Sequence, residues 1–170
     1  MSLASHFLIA RPSLQDPNFL QTVILLLQHD SSGAFGLIVN RPLPPKAWSL
    51  PFPLYLGGPC KSEGLMMLHG NEEWANDGSQ AERRVAPGIF IGDEECVKQA
   101  TNSFAGESED AQNFLMMTGY SGWAPGQLEN EISEGAWAIL KATSTNLFQL
   151  SSADKWASLL PSIIPQPSNN

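Results

Sequence analysis

Residues 22–40, TVILLLQHDSSGAFGLIVN, limit the fold more than any other stretch of the chain. Two apolar runs, TVILLLQH and FGLIVN, flank the turn-forming DSSG. Strand-type runs joined in this way read as a β-hairpin, and a hairpin demands antiparallel pairing. That argues against a purely parallel, doubly wound sheet. The first run is apolar at both alternating sets of positions, which suits a strand buried on both faces.

The rest of the chain continues in short strands. His6 to Ala10 reads as a first strand stopped by Arg11-Pro12, and Asp16-Pro17 suits the cap and first position of a helical turn. RPLPPKAWSLPFP, 41–53, is too rich in proline for a helix or an interior strand. LYLGGP gives a strand ending at Gly57-Gly58-Pro59, and GLMMLHG, 64–70, gives another. NEEWANDGSQAE reads as a polar loop, RRVAPGIFIGD as a strand broken by Pro87-Gly88, QNFLMMT as a strand at 112–118, and AWAILKAT as the last. Three helices stand between them. Residues 93–104 start at a capping Asp93, GQLENEIS starts near Pro125 and stops at Gly135, and residues 151–160 are capped by Ser151 or Ser152 and stopped by Pro161. The fold class is α+β: a strongly bent, mixed, mostly antiparallel sheet flanked by a few short helices.

At 170 residues the chain suits one domain, with an ordered part from about 6 to 162 and a loose tail. The longest apolar run, TVILLL, is far short of the roughly 20 residues of a membrane helix, and MSLASHFLIARPS lacks the basic start of a signal peptide. Cys60 and Cys96 share no short spacing and read as reduced thiols. A cytoplasmic protein without membrane association is expected. The formal net charge is −8, and apart from Arg83-Arg84 the bases are scattered, so direct nucleic-acid binding is disfavoured.

Candidate chemistry is sparse. Ser121 sits in Gly-Tyr-Ser-Gly, but a nucleophile elbow needs its second glycine two residues after the serine, not one. The 126–134 helix start could receive an anion, yet Glu129 and Glu131 already load its first turns and the loop has no lysine. His6, His29 and His69 show no metal-ligand spacing, and no metal or cofactor is expected. His29 and His69 end strands, where Asp16, Asp30 or Glu131 could complete an acid–base pair; backbone carbonyls could equally satisfy both rings. The glycine corners 57–58 and 119–126 could edge one recess walled by Tyr120 and Trp123, or could serve only the packing of the backbone.

Taken together, LIARPSLQDPNFLQTVILLLQHDSSGAFGLIVNRPL, LYLGGP, GLMMLHG, PGIFIGD and GYSGWAPGQLENEISEGAW occur in an order and spacing that resembles the YqgE/AlgH family of small bacterial proteins, over about residues 6–160. The resemblance implies a bifurcated sheet curled into a pseudo-barrel. It supplies no accepted catalytic residues, and the family's label of transcriptional regulator comes from a genetic link to alginate regulation. Relatives usually carry alanine where Ser121 stands and glycine where Ala124 stands, and the segment from Asn40 to Leu54 is short here. The serine is therefore a poor nucleophile, and 119–126 reads as a corner: the strand stops, Trp123 buries, and Pro125 starts a helix.

Three functions remain open. The first is a non-enzymatic regulatory or ligand-binding protein, acting on a protein or small-molecule partner through Asn40, Arg41, Gly57, Gly58, His69, Tyr120, Trp123 and Gln127. The second is a hydrolase- or transferase-type enzyme using His29 or His69 with a carboxylate. The third is a scaffold using the proline-rich 41–53 segment and an apolar patch at Trp48 and Phe52.

Overall fold

The structure is a computed structural model that describes residues 2–44, 52–75, 84–105 and 113–160. The tail expected to be loose and Trp48 lie outside these residues. The hairpin forms as its residues dictate: β2 (Val23–Asp30) pairs antiparallel with β3 (Gly33–Ile38), and Asp30 opposite Gly33 leaves a two-residue turn. Val23 to Leu26 are fully buried, so both faces of β2 are covered. β1 (His6–Ala10) lies antiparallel on the far edge of β2 and carries the edge strand β9 (Trp137–Lys141).

The second half of the sheet holds β4 (Leu54–Leu56), β5 (Cys60–His69), β6 (Arg84–Ala86), β7 (Ile89–Gly92) and β8 (Phe114–Trp123). Its order is β6-β7-β5-β8-β3-β2-β1-β9, with β4 branching from β8. Pro87-Gly88 is the turn of a hairpin between β6 and β7 rather than a break in one strand. The expected end of the strand at 118 is corrected: β8 runs on through the glycine corner to Trp123. Residues 116–118 lie between β4 and β5, while 121–123 pair with β3. That change of partner is the bifurcation of the sheet. It falls at Gly119, whose φ of 79° only glycine adopts without strain.

The sheet is mostly antiparallel and curls into a half-barrel. Its two ends approach where the Ser5 hydroxyl donates to the Val85 carbonyl. Inside, Phe7, Ile9, Val23, Leu25, Leu37, Leu68, Ile89 and Met117 form the main core with Leu147 and Leu159. These two leucines come from α3 (Ser144–Phe148) and α4 (Ser152–Leu159), which cap the opening; the Trp156 indole donates to the Ala10 carbonyl at 2.6 Å. Outside, α1 (Glu94–Ala105) covers Met67, Phe114 and Met116, and α2 (Gln127–Ser133) covers Ile24, Leu26 and Ile38. Asp93 and Ser151 cap their helices as read, and Gly135 turns left-handed after α2. α3 had no expected counterpart, although Thr143 caps it by accepting from the Asn146 amide.

Candidate functional site

The residues singled out from the sequence divide into clasps, packing positions and a few recess edges. Asn40 ties the end of β3 to its neighbour: its carbonyl oxygen accepts from the Val23 amide at 2.9 Å, and its amide donates to the Gln21 carbonyl at 3.0 Å. Arg41 donates to the carbonyls of Asn18, Pro17 and Leu20, so its fork caps the open end of the 16–20 turn. Burial pulls its pKa down, with Asp16 acting against the shift. Both side chains are spent on the backbone.

The two glycine corners do meet. The Gly57 amide donates to the Thr118 carbonyl at 2.8 Å, and Gly58 and Gly119 share a recess of about 320 Å³ with Leu56, Pro59, Cys60, Lys61, Ser62 and Thr118. A Cβ on Gly58 would stand 2.1 Å from the Tyr120 carbonyl oxygen, so the backbones approach too closely for any side chain. The expected walls are elsewhere. Tyr120 stacks on Phe35 at 4.9 Å, and Trp123 is buried against Phe19 and Trp137. Ser121 is fully buried and donates to the Gly57 carbonyl at 3.1 Å, which removes it as a nucleophile.

Glu131, expected as a partner for a histidine, instead closes a network of its own. Its Oε1 accepts from the Trp123 indole at 3.0 Å and the Trp137 indole at 2.9 Å, and its Oε2 from Gln127 at 3.0 Å. Gln127 also accepts from the Ala124 amide. Sequence reading placed Trp123 and Gln127 in a recess. Trp123 buries because its indole N–H finds an acceptor in Glu131, while Gln127 stays exposed and bridges the Ala124 amide to the Glu131 carboxylate.

His69 is fully buried. Its Nδ1 accepts from the Asn71 amide at 3.2 Å, its ring stacks on Phe90, and Nε2 stands 3.7 Å from the Cys96 sulfur. It lies against α1 through this contact with Cys96. His29 does find a carboxylate, but it is Glu129 rather than Asp16, Asp30 or Glu131, with Nε2 3.1 Å from Oε2. The pair borders an open recess with Ser2, Asp30 and Ser31. The backbone amide of Glu129, then the His29 ring, hold the Glu129 carboxyl below its usual pKa. Among the described residues no group of three histidine, cysteine, aspartate or glutamate side chains could hold a metal. Of the apolar patch read at Trp48 and Phe52, the Phe52 part is corrected: Phe52 is 1% exposed and packs edge-on against Phe114.

The arrangement that the sequence reading missed lies under α3 and α4. A recess of about 320 Å³ is lined by Phe52, Tyr55, Phe114, Phe148, Leu150 and Lys155, among others. Lys155 is 1% exposed. Its ammonium donates to the Leu147 carbonyl at 2.7 Å and the Val39 carbonyl at 3.3 Å. Among the described residues no carboxylate lies within ion-pair distance of it. Burial pushes its pKa down to about 8. The signal was present: Lys155 and Leu159 stand at i and i+4, so a helix that buries Leu159 turns Lys155 inward as well.

The family described as AlgH-like matches residues 7–168. A UPF0301 protein of Shewanella frigidimarina is 33% identical over 174 residues, covering 91% of this chain and 88% of the relative. One from Serratia proteamaculans is 32% identical, covering 92% and 89%. The solution structure of the AlgH protein from Pseudomonas aeruginosa is similar at 30% identity with a TM-score of 0.63, covering 97% of this chain and 96% of that one. A crystal structure of a Corynebacterium diphtheriae protein, 21% identical, shares the fold with a TM-score of 0.72 over 99% of this chain and 90% of that one.

Proposed function

This chain belongs to the AlgH-like family, and we propose that it is a non-enzymatic ligand-binding protein whose site is the recess beneath α3 and α4. One observation carries the reading: aromatic side chains and a buried lysine, with no carboxylate partner among the described residues, line the same cavity. Ligand sites are mainly apolar hollows with few polar groups, and this one has that character. Any regulatory role would then be exerted through the ligand or a protein partner, because a net charge of −8 opposes contact with nucleic acid. A cytoplasmic location accords with the free thiols Cys60 and Cys96, and among the described residues no helix is long and apolar enough to cross a membrane.

The His29–Glu129 pair favours a second reading as an acid–base enzyme. Its hydrogen bonds count against it. The Leu3 amide donates to Nδ1 at 2.9 Å, so the neutral ring carries its proton on Nε2 and gives it to Glu129. Neither nitrogen keeps a lone pair for a substrate. The test is to purify the protein and a Leu150→Trp variant, which fills the recess, from the native host and identify bound small molecules. A compound retained by the first and lost from the second is the expected result. Equal retention would place the site elsewhere.

A further inference from the structure

Resting on that ligand-binding reading, we infer that the recess takes a small organic acid: a flat apolar body seated among the rings, with one carboxylate paired to the Lys155 ammonium. The walls select the body. Phe52 and Phe114 are buried on the lining and meet edge to face at 5.1 Å, and the half-buried Tyr55 and Phe148 beside them offer aromatic surface to whatever enters. Such surfaces favour a planar partner over a branched one.

The ammonium selects the acid. It has three N–H donors and makes two hydrogen bonds, the longer at 3.3 Å. Both acceptors are neutral carbonyls, so among the described residues only dipoles meet the full charge. Removing a cation from water is unfavourable, and an anion brought into the same dry site offsets that far better than a dipole. Asp154, an acid in the first turn of α4, does not compete: it is exposed and its Oδ2 accepts from the Ser151 hydroxyl. Tyr55 is the other titratable group on the lining among the described residues. The overall charge of −8 repels multiply charged ligands, which favours a monoacid over phosphates.

Proton linkage follows. Burial lowers Lys155 to about 8, so the ammonium discharges just above neutral pH, and an acid that needs the charge loses affinity there. The carboxylate holds the proton on Lys155 when it binds, and binding therefore takes up protons in that range.

The experiment titrates naphthoate and its neutral analogue naphthamide into the protein, by calorimetry and by amide shifts at Tyr55, Phe114 and Phe148. It is run at about pH 7 and about pH 9.5 and repeated with Lys155→Met and Leu150→Trp. Naphthoate is expected to bind at least about ten-fold more tightly than naphthamide at the lower pH. That preference disappears at the higher pH and in Lys155→Met, while Leu150→Trp abolishes both. Equal affinities at the lower pH would overturn the acid assignment and leave the recess as a site for neutral ligands. If neither compound binds, or Leu150→Trp changes nothing, the recess reading falls and the acid assignment with it. Should Lys155→Met fail to fold, the two pH values with unaltered protein decide.

Discussion

Glu131 and Lys155 are both ionic groups drawn against the protein body, and they are satisfied in opposite ways. Glu131 receives three side-chain N–H donors, two of them from indoles that are themselves nearly buried. Every polar atom in that cluster has a partner, and the cluster pins α2, β8 and β9 together. Lys155 receives two backbone carbonyls and borders an aromatic hollow. A closed network of this kind stabilises one packing arrangement. A charge held only by dipoles beside a cavity costs stability unless something else is gained. The contrast separates a structural charge from one suited to a ligand.

The comparison breaks if its two halves respond alike to substitution. The largest effect is expected from Glu131→Ala, which leaves the Trp123 and Trp137 N–H groups without their acceptor; urea unfolding should show a loss of about 4 kcal/mol. Next is the response of the unaltered protein to pH. Lys155 has a native pKa of about 8, below its unfolded value near 10.5, so between those values the unfolded chain holds more protons. Stability attributable to this group therefore rises as pH goes from about 8 toward about 10.5, by roughly 3 kcal/mol, and Lys155→Met should flatten that part of the profile. Glu131→Gln keeps one oxygen acceptor but loses the charge, and a loss of about 1 kcal/mol in the same unfolding measurement is expected. The smallest effect is that of Lys155→Met at neutral pH. Relief of the buried charge and loss of two carbonyl partners nearly cancel, so the net change should stay below about 1 kcal/mol. A loss as large as that of Glu131→Ala would make Lys155 a structural group like Glu131.

Much of the fold was legible because its signals are local. DSSG between two apolar runs determines a hairpin whatever surrounds it, and Ser151 and Asp93 cap their helices through atoms three residues away. The resemblance to the AlgH family extended this to the bifurcated, curled sheet. The 119–126 stretch misled for a physical reason. Glycine marks a place where the backbone must bend, but whether the strand ends there or changes partner depends on β3, β4 and β5, which are remote in sequence. α3 was missed because five residues show too little periodicity, although Thr143 was a usable cap signal.

The candidate site was less legible. Asn40, Arg41, Trp123 and Gln127 drew notice as polar or aromatic residues near turns, and each is used to satisfy a neighbouring group. Lys155 drew none, because a lysine in a short helix reads as solvated. By itself the sequence determined the hairpin, the helix caps and an acidic chain with enough apolar residues for a two-faced sheet, since these depend on neighbours along the backbone. Tertiary structure alone decided which charges face inward, which carboxylate His29 meets, and where a hollow remains, because those depend on how folding sets α2 beside the β2–β3 hairpin and packs α3 and α4 against the sheet.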